Sequence, residues 1–281
     1  MPKGGFRNFK QRGGNIDTKA FMESNSLVAR AAFVLLVLLV FIVAISIGTT
    51  ILKWFFSPSK NPKIIDGMKP GTQAMTVSAN PQKPGAKPIL RSDNKRYGVE
   101  FTWSVWLYIL DLQYKKGEKK HIFHKGNDQL NSHGMPSATQ CPGLYLHETK
   151  NALVIVVNTF KGYGEEIVVD DIPLNKWLNI IVRVEGNIMD IYINGAIAIR
   201  HILQDVVKQN YGDTHINLNG GFSGNLSDLW YFNWALNTAE ILKIVKDGPN
   251  ISLIQDAPGS HINVFPPYFS LRWYFGSTTH R

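Results

Sequence analysis

One feature constrains this chain more than any other: 22 consecutive residues without a charge, Ala31 to Leu52. At ~1.5 Å rise per residue a helix of that length spans ~33 Å, enough to cross a hydrocarbon core. Arg30 and Lys53 close its two ends, and Trp54, Phe55 and Phe56 follow as an aromatic anchor for the membrane–water interface. A cleaved signal peptide has a shorter apolar stretch, a small-residue cleavage site and little before it. A buried core helix is rarely apolar on every face for so long. The run therefore predicts a single-pass membrane helix over 27–56 with its core at 31–52.

The span also explains the charge. The chain of 281 residues carries a net +9, but 1–96 hold 15 Lys and Arg against 4 Asp and Glu, and 97–281 hold 15 against 17. The basicity sits on the membrane flanks, and a lipid bilayer with anionic headgroups is the simplest partner for it. Nucleic acid is the sharper reading of Arg7, Lys10 and Arg12. No nucleic-acid fold accompanies them, so that partner ranks below lipid. Near the span, Arg12, Lys19 and Arg30 stand on one side and Lys53, Lys60, Lys63 and Lys69 on the other. That count leaves topology open. The lone Cys141 cannot form an internal disulfide, which leans the large domain towards the cytosol or a space derived from it. Asn225-Leu-Ser and Asn250-Ile-Ser match a glycosylation acceptor, a pattern too short to weigh against this.

Around the span the chain divides by composition. Residues 1–26 read as a basic flexible tail. Residues 57–96, with Pro58, Pro62, Pro70, Pro81, Pro84 and Pro88 among Lys, Ser and Gly, read as an extended tether. From 97 to 248 short strands dominate. Phe101, Trp103, Val105, Leu107 and Ile109 alternate with Thr102, Ser104, Trp106 and Tyr108, a half-buried strand. Further strands are expected at 121–124, 144–147, 153–157, 166–169, 178–185, 188–193, 196–203, 215–218 and 226–234. Asn194-Gly195 is the strongest hairpin signal. One helix should follow, capped by Asn237 and Glu240 and ended by Gly248-Pro249. Residues 249–281 form an irregular aromatic tail. The fold class is mainly β: a two-sheet antiparallel jelly roll with one short C-terminal helix, preceded by the membrane helix.

Two segments carry a resemblance. Leu174-Asn-Lys-Trp177 through Tyr192-Ile-Asn194-Gly195 has a Trp opening a strand, a hairpin, and a closing Tyr-x-Asn-Gly turn. Phe222-Ser-Gly224-Asn-Leu-Ser-Asp228 through Leu236 and Glu240-Ile241 looks like a closing strand and its short helix. Together they resemble the concanavalin A-like lectin/glucanase superfamily, in particular its laminin G-like and pentraxin-like branch. The resemblance implies a jelly roll with either lectin or glucanase activity. The glucanases carry Glu-x-Asp on one strand, and no glutamate here is followed two residues later by Asp. Glu165-Glu166 and Asp170-Asp171 are expected to border loops. The catalytic motif is therefore missing and no catalytic residue is assigned.

Metals and cofactors follow the same logic. His121 and His124, three apart on a strand, should face opposite ways and cannot share a metal. The superfamily's lectins often bind calcium, and Asp128, Asp213 and Asn219 lie in plausible loops without stacking acids at ligand spacing. The expectation is no cofactor, with calcium the one to consider. Asn127, Asp128, His133, Asp213 and Asn219 are the candidate ligand or partner loops. Cys141 has no neighbouring base in sequence and reads as inert.

The order of basic tail, span, tether and sandwich is also similar to membrane-associated structural proteins of large DNA viruses. That similarity implies a minor capsid or virion membrane protein, with capsid proteins as partners. The leading reading is a non-enzymatic, membrane-anchored structural or interaction protein joining a bilayer to a protein shell. A membrane-anchored glycan-binding module is the alternative, marked by an exposed aromatic beside Asn and Asp, with Trp106 and Tyr108 as its candidates. A divergent glycosidase comes last.

Overall fold

The computed structural model describes residues 27–95, 98–127, 139–162 and 164–254, with Gln129, Asn131 and Pro136. It separates into two units, 1–57 and 58–281. The first contains helix α1, Leu27–Phe56, of 30 residues. Its side chains are apolar and exposed all round, from Phe33 to Leu52. It is long and apolar enough to cross a membrane. The hydroxyls inside it bond back to the helix: Thr49 and Thr50 Oγ1 donate to the Ser46 carbonyl at 3.0 and 2.8 Å. Ser57 Oγ donates to the Lys53 carbonyl at 2.6 Å, and Pro58 stops the helix there.

The second unit is a sandwich of two antiparallel sheets. Its strands are β1 Met68–Pro70, β2 Met75–Val77, β3 Asp93–Lys95, β4 Gly98–Ile109, β5 Lys120–Gly126, β6 Gln140–Leu146 and β7 Ala152–Val157. They continue as β8 Glu165–Asp170, β9 Trp177–Glu185, β10 Ile188–Ile193, β11 Ala196–Ile202, β12 Asp213–Ile216 and β13 Gly224–Phe232. Sheet 1 has seven strands in the order β1-β13-β4-β9-β10-β11, with β3 beside the start of β4. Sheet 2 has six, in the order β2-β12-β5-β6-β7-β8. The two inner faces meet through Phe101, Trp103 and Leu107 on one side and Phe123, Leu144 and Ile155 on the other, all buried. The Trp103 ring lies 5.3 Å from Phe123 and 5.0 Å from Tyr231. At the β10–β11 turn Asn194 and Gly195 both take positive φ, 51° and 82°, as a type I′ hairpin requires.

β4 departs from a half-buried strand. Thr102, Ser104 and Trp106 are buried on its outer side as well. The cover is the segment after β13 and helix α2, Thr238–Asp247. Phe232, Leu236 and Ile241 pack there on Ile181, forming a second apolar layer. Thr102 Oγ1 donates to the Trp234 carbonyl at 2.9 Å and accepts from the Leu236 N–H at 3.0 Å. α2 begins with the expected box: the Asn237 side chain accepts from Glu240 N–H at 2.9 Å, and Glu240 Oε2 accepts from Asn237 N–H at 2.8 Å.

The segment 57–96 is not the extended tether its composition suggests. β1 pairs with β13, β2 with β12 and β3 with β4. Ile64 and Ile65 are buried, and both N–H groups donate to the Leu229 carbonyl at 2.7 and 3.1 Å. The prolines fall outside these short strands or at an end, as Pro70 does, so they cost no ladder bond in a central strand. A few apolar side chains between them suffice to dock the segment. The boundary at 97 therefore moves back to about Pro58. At the other end, Leu253 bridges to Met68, so the sandwich extends past 248.

Candidate functional site

The site is built by the end of the connection from β11 to β12, residues 209–212, and by Asp213, which opens β12. Lys125, buried on β5, reaches under it. Its Nζ donates to the carbonyls of Asn210 (2.6 Å) and Gly212 (3.1 Å) and to Asn210 Oδ1 (3.3 Å). Asn210 Nδ2 returns a bond to the Lys125 carbonyl at 2.9 Å. Burial with only neutral acceptors pushes the Lys125 pKa down to about 8. Gly212 and Gly126 touch backbone to backbone: a Cβ on Gly212 would stand 2.1 Å from the Gly126 carbonyl oxygen. This clamp presents Tyr211 to solvent at 86% exposure.

Beside Tyr211 lies an open depression of about 770 Å³, lined by Thr76, Asn127, Thr139, Asn210, Asp213 and His215 with Gly126, Gly212 and Leu218. Asp213 Oδ1 accepts from Ser78 Oγ (3.1 Å) and the Ala79 N–H (2.9 Å), fixing its carboxylate at the rim. Asn127 Oδ1 accepts from the Gln129 N–H at 3.1 Å. Among the described residues, one carboxylate, one exposed aromatic ring and several hydroxyl and amide groups thus line one cavity.

Beneath the depression the structure corrects the histidine geometry. His121 and His124 do not face opposite ways. The β5–β6 ladder shifts register between His121 and Phe123 and again between His124 and Gly126. The bulges turn both rings to the same side. His121 Nε2 and His124 Nδ1 are 2.7 Å apart, and the His124 ring stacks on His215 at 4.7 Å. The partners fix the tautomers. Leu218 N–H donates to His121 Nδ1 at 3.0 Å, so His121 carries its proton on Nε2 and gives it to His124 Nδ1. His124 then donates from Nε2 to the Asn127 carbonyl at 2.9 Å. A directed chain runs from the 218 backbone to residue 127 at the rim. Burial is the main cause holding both rings neutral: the His124 pKa falls to about 4 and that of His121 lies well below its usual value. With Nδ1 and Nε2 of both rings occupied, these two serve as scaffold for the rim.

Asn127 and Asp213, two of the sequence candidates, meet at this depression. Asn219 does not: it sits in the 3-10 turn Leu218–Gly220, where its carbonyl accepts from Lys115 Nζ. Asp128 and His133 lie outside the described residues. Arg30, Lys53, Trp54 and Phe55 lie on α1, with Trp54 and Phe55 exposed; the side chain of Phe56 is outside the described set. Trp106 is buried at 6% exposure and Tyr108 packs edge-on against Trp177 at 5.6 Å, so neither is the exposed platform. Glu165, Glu166 and Asp170 fall within β8 rather than in bordering loops. Glu165 pairs with His201 at 2.6 Å and Glu166 with Lys119 at 2.6 Å. Among the described residues no cluster of three or more His, Cys, Asp or Glu could hold a metal ion. Cys141 is buried and its thiol pKa is pushed up to about 12 by burial.

Sequence reading missed Tyr211, Thr76, Lys125 and His215. One signal was present: Asn210-Tyr211-Gly212-Asp213 places an aromatic among turn residues, where no strand period asks for it.

The fold and this rim define a jelly-roll module whose concave, polar and aromatic surface sits on a connection between strands. A sequence model of the concanavalin A-like lectin/glucanases superfamily matches residues 85–242, more than half of the chain, and the chain belongs to that superfamily. No curated protein matches it in sequence. Among solved structures it is similar in fold to the botulinum neurotoxin serotype G binding domain (13% identity, 64% of this chain, 46% of that one, TM-score 0.45). It is also similar to the binding domain of Paraclostridial Mosquitocidal Protein 1 (16% identity, 66% and 47%, TM-score 0.44). A third is the botulinum neurotoxin serotype D ligand-binding domain in complex with N-acetylneuraminic acid (14% identity, 64% and 46%, TM-score 0.44). The chain spans less than half the length of each of these three.

Proposed function

We propose that this is a single-pass, membrane-anchored, non-enzymatic binding module whose ligand is a carbohydrate held in the depression beside Tyr211. The observation that carries the reading is the 86%-exposed Tyr211 ring standing next to Asn127 and Asp213 over one polar cavity. A sugar ring offers an apolar C–H face to stack on an aromatic and a rim of hydroxyls for amide and carboxylate partners. Membership of a superfamily that includes lectins supports it. Among the described residues the lining holds one carboxylate, Asp213, where glycoside hydrolysis uses a pair. α1 supplies the anchor, being apolar on every face.

A glycan array probed with the full chain in lipid nanodiscs tests the reading. Binding to a defined sugar family, lost in Tyr211→Ala, is expected; an array without signal rejects it. Alkaline carbonate extraction tests the anchor: the full-length chain stays with the membranes. A shortened, soluble chain would make α1 a cleaved signal.

A structural role between a bilayer and a protein shell, as in a virion, is the second reading. It is supported by β11, an edge strand of sheet 1 that exposes Ile197 and Ile202. Specific crosslinking of β11 to a coat protein, with no sugar bound, would favour it.

A further inference from the structure

Next to the connection from β11 to β12, sharing Asn210 and Tyr211 with the depression, a second cavity of about 270 Å³ opens between the two sheets. Its wall is unlike that of the depression. Val99, Phe101 and Trp103 of β4 and Tyr231 of β13 form an apolar and aromatic floor, and Phe160, 69% exposed, stands at the mouth. Two of the polar side chains inside already bond to the chain. Tyr231 Oη donates to the Leu90 carbonyl at 2.9 Å, and Gln209 Oε1 accepts from Ser92 Oγ at 3.2 Å. The Cys141 thiol is protonated and buried.

The charge in this wall has one sign. Arg91 and Lys125 both line it, and among the described residues no carboxylate does. Lys125 hydrogen-bonds only neutral oxygens, and the Asp213 carboxylate partly offsets its charge from the far rim, which leaves Arg91 as the head-group partner. Arg91 is exposed and forms no ion pair among the described residues. An aromatic shaft with an uncompensated guanidinium at its mouth selects an apolar body carrying an anionic head. Size sets the body. A cavity of ~150 Å³ takes up benzene, so one of this volume takes roughly eleven non-hydrogen atoms.

We propose that this cavity is a separate ligand site for an amphipathic carboxylate of about ten carbons, a medium-chain fatty acid, with its tail on Trp103 and its head on Arg91. The two cavities share Asn210 and Tyr211, but the proposal does not depend on the carbohydrate reading, because the head and tail contacts named here, Arg91 and Trp103, line this cavity and not the depression, and the probe carries no sugar.

The test uses the full chain in nanodiscs and a diazirine-bearing decanoic acid as photolabel. Label is expected on peptides covering 89–103 and 206–211, displaced by excess decanoate and not by decylamine. Arg91→Glu, at an exposed position, should lower that label about tenfold, the loss expected for one charge-assisted contact. Ile89→Trp, which fills the cavity from its partly buried edge, should abolish it. Label confined to Leu27–Phe56, where the bilayer concentrates any apolar probe, would overturn the proposal. So would equal displacement by decylamine, or full label in both variants.

Discussion

The outer faces of the two sheets are finished in opposite ways. Sheet 1 is closed by an apolar layer, with Phe232, Leu236 and Ile241 seated on Ile181. Its buried Asp190 is neutralised by Arg183 at 3.2 Å and Arg200 at 2.6 Å. Sheet 2 carries instead a row of rings, Tyr145, His121, His124 and His215, linked by edge contacts, stacking and directed hydrogen bonds up to Asn127 at the rim of a depression. The first arrangement stores stability in burial. The second is a buried polar scaffold that fixes the half-exposed rim residue Asn127, as recognition requires. On the function proposed above, recognition belongs to the side the chain left polar.

Four substitutions or conditions press on that contrast. The largest effect should come from the closed face: Leu236→Ala removes a fully buried side chain and costs about 2–5 kcal/mol, read as a lower urea midpoint. Sugar binding by the molecules still folded should be unchanged.

Acid should next reach the histidine row. His124 titrates at about 4 when folded against 6.5 when unfolded, because burial penalises its charged form. The unfolded chain therefore binds the extra proton first. Stability is full above pH 6.5 and falls as pH drops towards 4, by about 3 kcal/mol for this group alone. Urea melts at pH 7.5 and 4.5 check it, and His124→Asn should flatten the slope.

Gly212→Ala should cost about 1–3 kcal/mol, since its Cβ collides with the Gly126 carbonyl and the backbone must shift. It should also weaken binding, as Tyr211 is carried on the displaced segment. Equal stability and binding in this variant would show that the clamp does not set the site.

The smallest stability effect belongs to Tyr211→Ala, within about 0.5 kcal/mol, because an exposed ring contributes little to folding.

How much of this was readable from the residues depended on how local each cause is. α1, the Asn194-Gly195 hairpin and the Asn237/Glu240 cap each arise from neighbours in sequence, and all three were legible. The histidine row was not. A regular strand sends His121 and His124 to opposite faces, and only a bulge against β6, distant in sequence, reverses that. The segment 57–96 was misread for a similar reason. Its prolines dominate the composition, whereas its fate is decided by partners such as Leu229 far along the chain. Of the site, Asn127 and Asp213 were legible as polar loop residues. Tyr211 was not singled out, since its exposure follows from a clamp between Lys125 and Asn210 that no local pattern encodes.

The central claim is that the polar side of the sandwich binds a carbohydrate through Tyr211. Its most direct test is the affinity of the full chain, wild type and Tyr211→Ala, for the best sugar found on the array, with urea melts of both. Unchanged melting with at least a tenfold loss of affinity is predicted, as for an anchoring aromatic at a binding site. Equal affinity in the two proteins, or no sugar bound by either, would contradict it.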